Sequence, residues 1–422
     1  MLLQFSCSNY KSIKDKITFS MVSPKKMTED IRVKEYNGLY ITRTAAIYGA
    51  NGSGKSNFIS AIELARSIIV NSINYQPGQG IVQFPHKLSK LDTPSTFEFQ
   101  FVIDNIRYAY GFSIVLGNID EEYLYYFPKK RKLKIFERKG MKITLGSKYK
   151  TSFSVSLEIL KENRLFLSCA ANYSRTVEVE KAFLFFQQQL VVYKPVSTPV
   201  TDNWFTYSVE LMKKNPDIKK VFITILQSLG TGIKDIETKI IDVPAEQATD
   251  NVPEPIKNLL KAVNFPEVVK QFKGTVIYDK FTTDLLTEES TGIQKLFQII
   301  CPIIDILVNG KILICDELET GLHEMVVHEI IKIFYDCQQE RFAQLVFTTH
   351  DTALLDLDLF QRDQIWFTQL TAERATDLYS LVEIRNIGKK GACAKGYIQG
   401  KYGAIPVLNH DFQQKIEETE VK

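Results

Sequence analysis

The run Gly49-Ala-Asn-Gly-Ser-Gly-Lys-Ser56 has the residue types and spacing of a phosphate cradle. It fits G-x-x-x-x-G-K-[ST] at every fixed position. Gly49, Gly52 and Gly54 let the backbone turn its N–H groups inward and form a nest for an anion. Lys55 adds a cation on a long stem, and the Ser56 hydroxyl is a hard oxygen ligand for Mg²⁺. The flanking elements suit that use. Thr44–Tyr48 reads as a buried strand ending at Gly49, and from Ser56 to Ile69 the apolar residues Phe58, Ile62, Leu64 and Ile68 recur at helical spacing. The positive end of that helix would therefore face a bound phosphate.

Three further stretches carry chemistry. Lys311-Ile-Leu-Ile-Cys-Asp-Glu317 is an apolar strand ending in two carboxylates. Placed beside the strand before the phosphate loop, Asp316 can hold Mg²⁺, and Glu317 can polarise an attacking water as a general base. Leu345-Val-Phe-Thr-Thr-His350-Asp351 is a second apolar strand with a polar end. On a strand next to the acids, His350 can bond a γ-phosphate oxygen or the attacking water. Glu288-Glu-Ser-Thr-Gly-Ile-Gln-Lys295 places a Ser-x-Gly turn, Ser290 and Gly292, at the start of an apolar helix, a second helix N-terminus for phosphate.

Phosphate loop, Ser-x-Gly, acid–acid strand and Thr-Thr-His occur in the order of ABC-type ATPases, which the chain resembles. Asn9-Tyr-Lys-Ser12 is similar to the opening motif of SMC-like, RecF-like and OLD-like members, and Asp316-Glu-Leu-Glu-Thr-Gly-Leu-His323 to that of the OLD-like branch. Arg362-Asp-Gln-Ile-Trp-Phe367 and Gly400-Lys-Tyr-Gly-Ala-Ile-Pro406 resemble the C-terminal signatures of the compact RloA-like ATPases of restriction and anti-phage loci, a group that includes the AriA component of PARIS. The resemblance is weakest from about 150 to 285.

The resemblance implies ATP and Mg²⁺ as cofactors, with hydrolysis to ADP and phosphate. Gly49, Asn51, Gly52, Gly54, Lys55, Ser56 and Asn57 would surround the phosphates, with Lys11 close to the nucleotide. Asp316 would be the metal acid, Glu317 the base and His350 the switch histidine. Ser290 and Gly292 would touch ATP held by an opposite subunit, giving a sandwich of two ATPs in a homodimer or larger homo-oligomer. The glutamine of the family's Q-loop is open between Gln83 and Gln100. The expected function is the sensor or regulatory subunit of an abortive-infection system that restrains a separate nuclease or toxin. The alternative is a RecF/SMC-like repair ATPase that clamps DNA. About seventy residues follow His350, fewer than a Toprim nuclease domain needs, so an effector is expected on another chain.

The elements that must position these residues follow from pattern and composition. With 422 residues, 45% of them hydrophobic and 24% charged, the chain can bury a large core, and a net charge of +3 gives no global basic field. Alternating apolar residues over 1–22 and 96–146 predict strands, the latter an antiparallel meander turning at Asp104-Asn105, Gly117-Asn118 and Lys139-Gly140. Residues 155–270 read as mostly helical, broken at Pro195, Pro199 and Pro216, and 290–370 alternate as strand and helix. The expected fold is α/β: an ABC-type P-loop domain split into 1–150 and 286–422, with an antiparallel β-subdomain and an inserted, mainly helical lobe at 151–285. None of the six cysteines forms a C-x-x-C pair, which suits reduced thiols and a cytoplasmic location. The apolar run Phe297–Val308 contains Gln298 and Asp305 and falls short of a span, so no membrane partner is expected. The basic run Lys129–Lys134 fits a solvated hairpin edge better than a nucleic-acid contact. The amphipathic stretch Thr206–Leu229 fits core packing and a docking surface equally.

Overall fold

Strand Thr44–Gly49 is apolar on both faces and buried along its whole length, the mark of a central parallel strand. A computed structural model describes residues 1–24, 30–194, 203–244, 268–336, 341–385, 387 and 393–406. In it this strand lies inside a six-stranded sheet whose order is Leu190–Tyr193, Ile312–Cys315, Gln344–Thr348, Thr44–Gly49, Ile365–Leu370, Thr376–Ser380. The first five strands are parallel and the last is antiparallel. From sequence the acid strand is expected directly beside the phosphate-loop strand. Instead the Thr-Thr-His strand lies between them, so Asp316 and Gly49 end strands two positions apart.

Alternate residues of this sheet face two separate cores. Ile47, Ile312, Ile314 and Val346 pack with helix Lys55–Asn71 and the N-terminal half, while Tyr48, Leu313, Leu345 and Phe347 pack against the later helices. Helix Lys55–Asn71 is covered on its other side by a seven-stranded antiparallel sheet, ordered 142–145, 133–139, 118–127, 106–115, 95–103, 2–8, 17–20. Phe58 on the helix meets Phe5 and Phe19 of that sheet edge to face, with ring centroids 5.7 and 5.5 Å apart. The meander turns where expected, with positive φ at Asp104, Asn105, Gly117 and Gly140. Its one buried ion pair, Glu122 with Arg138 at 3.6 Å, is completed when Glu122 accepts from the N–H groups of Phe166 and Leu167 at the start of helix Phe166–Tyr173.

The segment 151–285 is more mixed than its helical reading. It supplies helices Ser154–Glu158, Phe166–Tyr173 and Val177–Leu184, then Leu190–Tyr193 to the six-stranded sheet. Helices Asn203–Lys214 and Pro216–Ser228 follow, then an antiparallel sheet of Asp235–Pro244, Val268–Ile277 and Thr282–Asp284. The β-branched run Ile236, Thr238, Ile240, Ile241, Val243 accounts for that sheet. Pro216 opens a helix rather than merely ending one, because Asn215 caps it by accepting from Asp217 N. Pro195 and Pro199 lie outside the described residues. The apolar face of the stretch Thr206–Leu229 (Val209, Met212, Phe222, Leu226) is spent on core packing with helix Thr291–Asn309. That 19-residue helix is long and apolar enough to cross a membrane, but it is largely buried inside the fold. Cys7, Cys169, Cys301, Cys315 and Cys393 are free and buried, and burial raises each thiol's pKa.

Candidate nucleotide site

The phosphate loop spans the gap between strand Thr44–Gly49 and helix Lys55–Asn71, and neighbouring strands brace it from behind. A Cβ on Gly49 would stand 2.4 Å from Thr368 Oγ1, and one on Gly54 only 2.0 Å from Thr376 Oγ1. Gly54 has φ 109°, a conformation that side chains resist. The two threonines are there to bond the loop: Thr368 Oγ1 to Ser53 Oγ at 2.6 Å, and Thr376 Oγ1 to Ser53 O at 3.0 Å. Thr376 Oγ1 also meets Ser12 Oγ at 2.7 Å, and Ser12 Oγ accepts from Asn57 Nδ2 at 2.7 Å. Ser12, Thr368 and Thr376 were not assigned as site residues from sequence. A threonine at Thr368 inside the apolar strand Ile365–Leu370 was the available signal.

Lys55 is buried, and its ammonium donates to Gly49 O at 2.7 Å and Ala50 O at 3.1 Å. Burial lowers its pKa to about 8, opposed by the negative fields of Asp316, Glu317 and Glu319. Those same carboxylates act on His350, whose pKa is lowered first by burial and then by Lys55. Lys55, Asp316, Glu317 and His350 thus form one electrostatic cluster at the C-terminal ends of three strands, and the fold also brings in Glu319.

Thr348 fixes the acids. Its hydroxyl donates to Asp316 Oδ1 at 2.6 Å and accepts from Glu317 N at 2.8 Å, and the residue is fully buried. Asp316 N is held by Tyr193 O at 2.9 Å. Glu317 itself has φ 48°, a left-handed backbone at a non-glycine residue, and its carboxylate accepts from Thr320 Oγ1 at 3.2 Å. Glu319 Oε1 accepts from His350 N at 2.6 Å, tying the acid loop to the histidine strand end. Glu319 Oε2 and the Tyr48 hydroxyl are buried with no hydrogen-bond partner among the described residues. Neither Thr348 nor Glu319 was singled out from sequence, since a hydroxyl's partner two elements away leaves no local pattern.

The remaining expected residues fall in three places. Asn51 and Gly52 are exposed at the loop tip and Ser56 is exposed on the helix's first turn. Lys11, at φ 49°, directs its ammonium over the rings of Tyr10 and Phe84, at 5.5 and 5.6 Å. It lines a cleft along the loop helix with Glu63 and Lys194. Ser290 caps helix Thr291–Asn309 by accepting from Ile293 N at 3.3 Å, and is exposed. A Cβ on Gly292 would lie 3.2 Å from Gly321 O, so this helix start abuts the loop after the acids. Among the described residues no hydrogen bond joins it to the chain's own phosphate loop. Gln83 is engaged with Ile114 O and Gly117 N, and Gln100 with Gln4.

The donor set suits Mg²⁺. Among the described residues no group of three or more His, Cys, Asp or Glu side chains could enclose a metal. One hydroxyl, Ser56, and one carboxylate, Asp316, would be the sparse, hard-oxygen donors for an ion shared with phosphates.

A family model described as "AAA domain, putative AbiEii toxin, Type IV TA system" matches residues 45–142 and 180–356. No curated protein matches the chain. Among solved structures, the chain is similar to an SMC head bound to the C-winged helix domain of ScpA, at 12% identity and TM-score 0.44, covering 90% of this chain and 97% of that one. It is similar also to the SMC head domain from Thermotoga maritima, at 11% identity and TM-score 0.41, covering 90% and 98%. A third is an SMC head with an extended coiled coil bound to the C-terminal domain of ScpA derived from Pyrococcus furiosus, at 12% identity and TM-score 0.41, covering 90% and 96%.

Proposed function

This chain belongs to the AbiEii-type AAA-domain family, and we propose that it binds ATP with Mg²⁺ at the loop Gly49–Ser56 and hydrolyses it. The observation that carries the reading is the joining of Lys55, Asp316, Glu317 and His350 into one charged cluster beside a glycine-lined loop. Lys55 exchanges its loop carbonyls for β- and γ-phosphate oxygens. Ser56 and Asp316 would hold the metal, which would supply positive charge to neutralise the developing phosphate charge. Glu317 receives a proton from the attacking water, and His350 bonds the γ-phosphate edge. Asn51, Gly52 and Asn57 line the loop's outer side, and Lys11 stands near the nucleotide.

Ser290 and Gly292 serve a second copy's nucleotide, which accounts for an exposed, capped helix start that makes no hydrogen bond to the chain's own phosphate loop among the described residues. Two ATPs then hold a dimer together, because ATP bound at that joint favours the closed pair over separate subunits. We further propose membership in the OLD-related, RloA-like group and a regulatory role in an anti-phage system, with ATP-dependent closure restraining a separate toxic effector.

The test is the mass of purified Glu317→Gln and Lys55→Ala proteins with ATP, with and without duplex DNA. ATP-dependent dimers or larger rings in Glu317→Gln alone, without DNA, are expected. A monomer under all conditions refutes the sandwich, and assembly only on DNA moves the reading to a DNA clamp.

A further inference from the structure

The parallel sheet has a second end, away from the candidate nucleotide site, and a cleft of about 760 Å³ opens there. Gly49, Asp316 and Thr348 lie at C-terminal strand ends. Gln189, Lys311 and Arg341 instead precede the N-terminal ends of strands Leu190–Tyr193, Ile312–Cys315 and Gln344–Thr348. All three line the cleft, together with Arg66 from the far side of the loop helix, Trp204 and Tyr207.

The charge in this cleft is unbalanced. Arg66 spends its guanidinium on two carbonyls, Phe186 O at 2.8 Å and Gln187 O at 3.0 Å. Arg341 donates to the Asn309 amide oxygen at 3.2 Å and pairs with no carboxylate among the described residues. Lys311 pairs with Asp305 at 2.6 Å, but Asp305 also accepts from Tyr207 and Asn309, so its charge is shared, and Glu63 is the one carboxylate whose field acts on Arg66. Neutral acceptors hold the arginines without cancelling their charge, which suits an anion such as phosphate. Trp204 makes T-shaped pairs with Tyr193 and Tyr207, centroids 4.5 and 6.2 Å apart, and its half-buried indole lines the cleft. An aromatic face beside fixed cations is what a base and its phosphate require.

We propose that this cleft is a binding site for a phosphorylated nucleoside, presented free or as part of a single strand: phosphate on Arg66, Lys311 and Arg341, base against Trp204. Its concavity and volume of about 760 Å³ fit one or two nucleotides. The site is independent of the phosphate loop and goes beyond the ATPase reading.

The chain has two tryptophans, and the other, Trp366, is buried against Phe19. Trp366→Phe therefore leaves Trp204 as the reporter, and Lys55→Ala removes binding at the phosphate loop, so the two readings fail separately. Titrating this full-length double variant with oligothymidylate of about eight nucleotides should quench Trp204 fluorescence saturably. The log–log salt slope should be about −2, as for three released counterions on a single strand. Arg341→Glu, at an exposed rim residue, should weaken binding at least about tenfold, with Arg341→Lys close to the parent. Competition by thymidine monophosphate identifies a free-nucleotide site, and its failure to compete identifies a strand site. The proposal is overturned if Trp204 is not quenched, if Arg341→Glu binds like the parent, or if poly-glutamate competes as well as the oligonucleotide.

Discussion

Thr348→Val isolates what the buried hydroxyl does for the two acids. Valine keeps the shape of threonine, so the cavity cost is small. The change strips Asp316 of its 2.6 Å donor and leaves Glu317 N, now bonded at 2.8 Å, without an acceptor. Each buried polar group left unpaired costs about 1–3 kcal/mol, so the expected loss of stability for the two groups is about 2–6 kcal/mol. For a chain this long, thermal midpoints move by about 2 °C or less per kcal/mol, and the melting temperature should fall by several degrees. The functional effect is separable. Lys55 and the loop glycines touch none of these atoms, so ATP affinity should stay within about threefold, while misplacement of the acid pair lowers turnover by about 10–100-fold. Differential scanning fluorimetry, equilibrium binding of a fluorescent ATP analogue and phosphate-release kinetics on one preparation decide it. Parental turnover in a destabilised protein would refute the claim that Thr348 aligns the acids, and ATP affinity lost in step with turnover would refute the separation of cradle from acid pair.

Lys55 gives a pH dependence. Its pKa is lowered from 10.5 to about 8 in the folded chain, whereas phosphates bound against it would raise it again. ATP binding should take up about one proton between pH 8 and 10 and almost none at pH 7, with affinity falling as pH rises through that window. Isothermal titration in buffers of different ionisation enthalpy reads this directly. For folding the sign reverses: the unfolded chain holds the Lys55 proton to higher pH, so the penalty of its burial is full below pH 8 and relieved between 8 and 10.5. Gly54→Ala should abolish nucleotide binding and lower stability, since its Cβ meets Thr376 Oγ1 at 2.0 Å on a φ of 109°; binding by Gly54→Ala at parental affinity would disprove the brace. Glu122→Leu, which leaves Arg138 buried without its carboxylate, should cost about 3–5 kcal/mol in chemical denaturation, with ATP affinity of the folded protein unchanged.

How far the sequence could be read follows from where each signal lives. The phosphate loop is a contiguous octet, and its strand and helix are set by local periodicity, so Thr44–Gly49 and Lys55–Asn71 were legible within a residue or two. The meander was legible because its turns carry Asn and Gly at positive φ. Sheet order was not. Which strand lies beside Thr44–Gly49 depends on crossovers packed by both cores, and the Thr-Thr-His strand took the place expected for the acid strand. The bracing hydroxyls were hidden for a related reason: Thr376 reaches Ser12 across 364 positions of chain. Residues 235–284 illustrate a weaker signal, where scattered lysines and acids between β-branched residues blur the alternation that sheet pairing uses.

The runs Arg362–Phe367 and Gly400–Pro406 both pack against the phosphate-loop strand or the rings that cover it. Gln364 Nε2 donates to Thr44 O and Thr44 Oγ1, locking strand Ile365–Leu370 against the start of the phosphate-loop strand. At the other end of that strand Tyr48 precedes Gly49, and its fully buried ring is covered by Phe367 and Tyr397. Tyr397 donates to Ala404 O, and Tyr379 donates to Tyr402 O, so residues 397–404 fold back over these rings. A Cβ on Gly403 would lie 2.7 Å from both Gln369 Oε1 and Tyr379 Oη, at φ 71°, which leaves glycine as the residue that fits. The run Gly400–Pro406 is therefore the floor beneath the phosphate loop rather than an appendage. Gly403→Ala should loosen that floor and weaken ATP binding without touching any group that contacts phosphate. Hydrogen exchange at Tyr48–Gly49 is the measurement: unchanged protection there in Gly403→Ala would separate the tail from the loop.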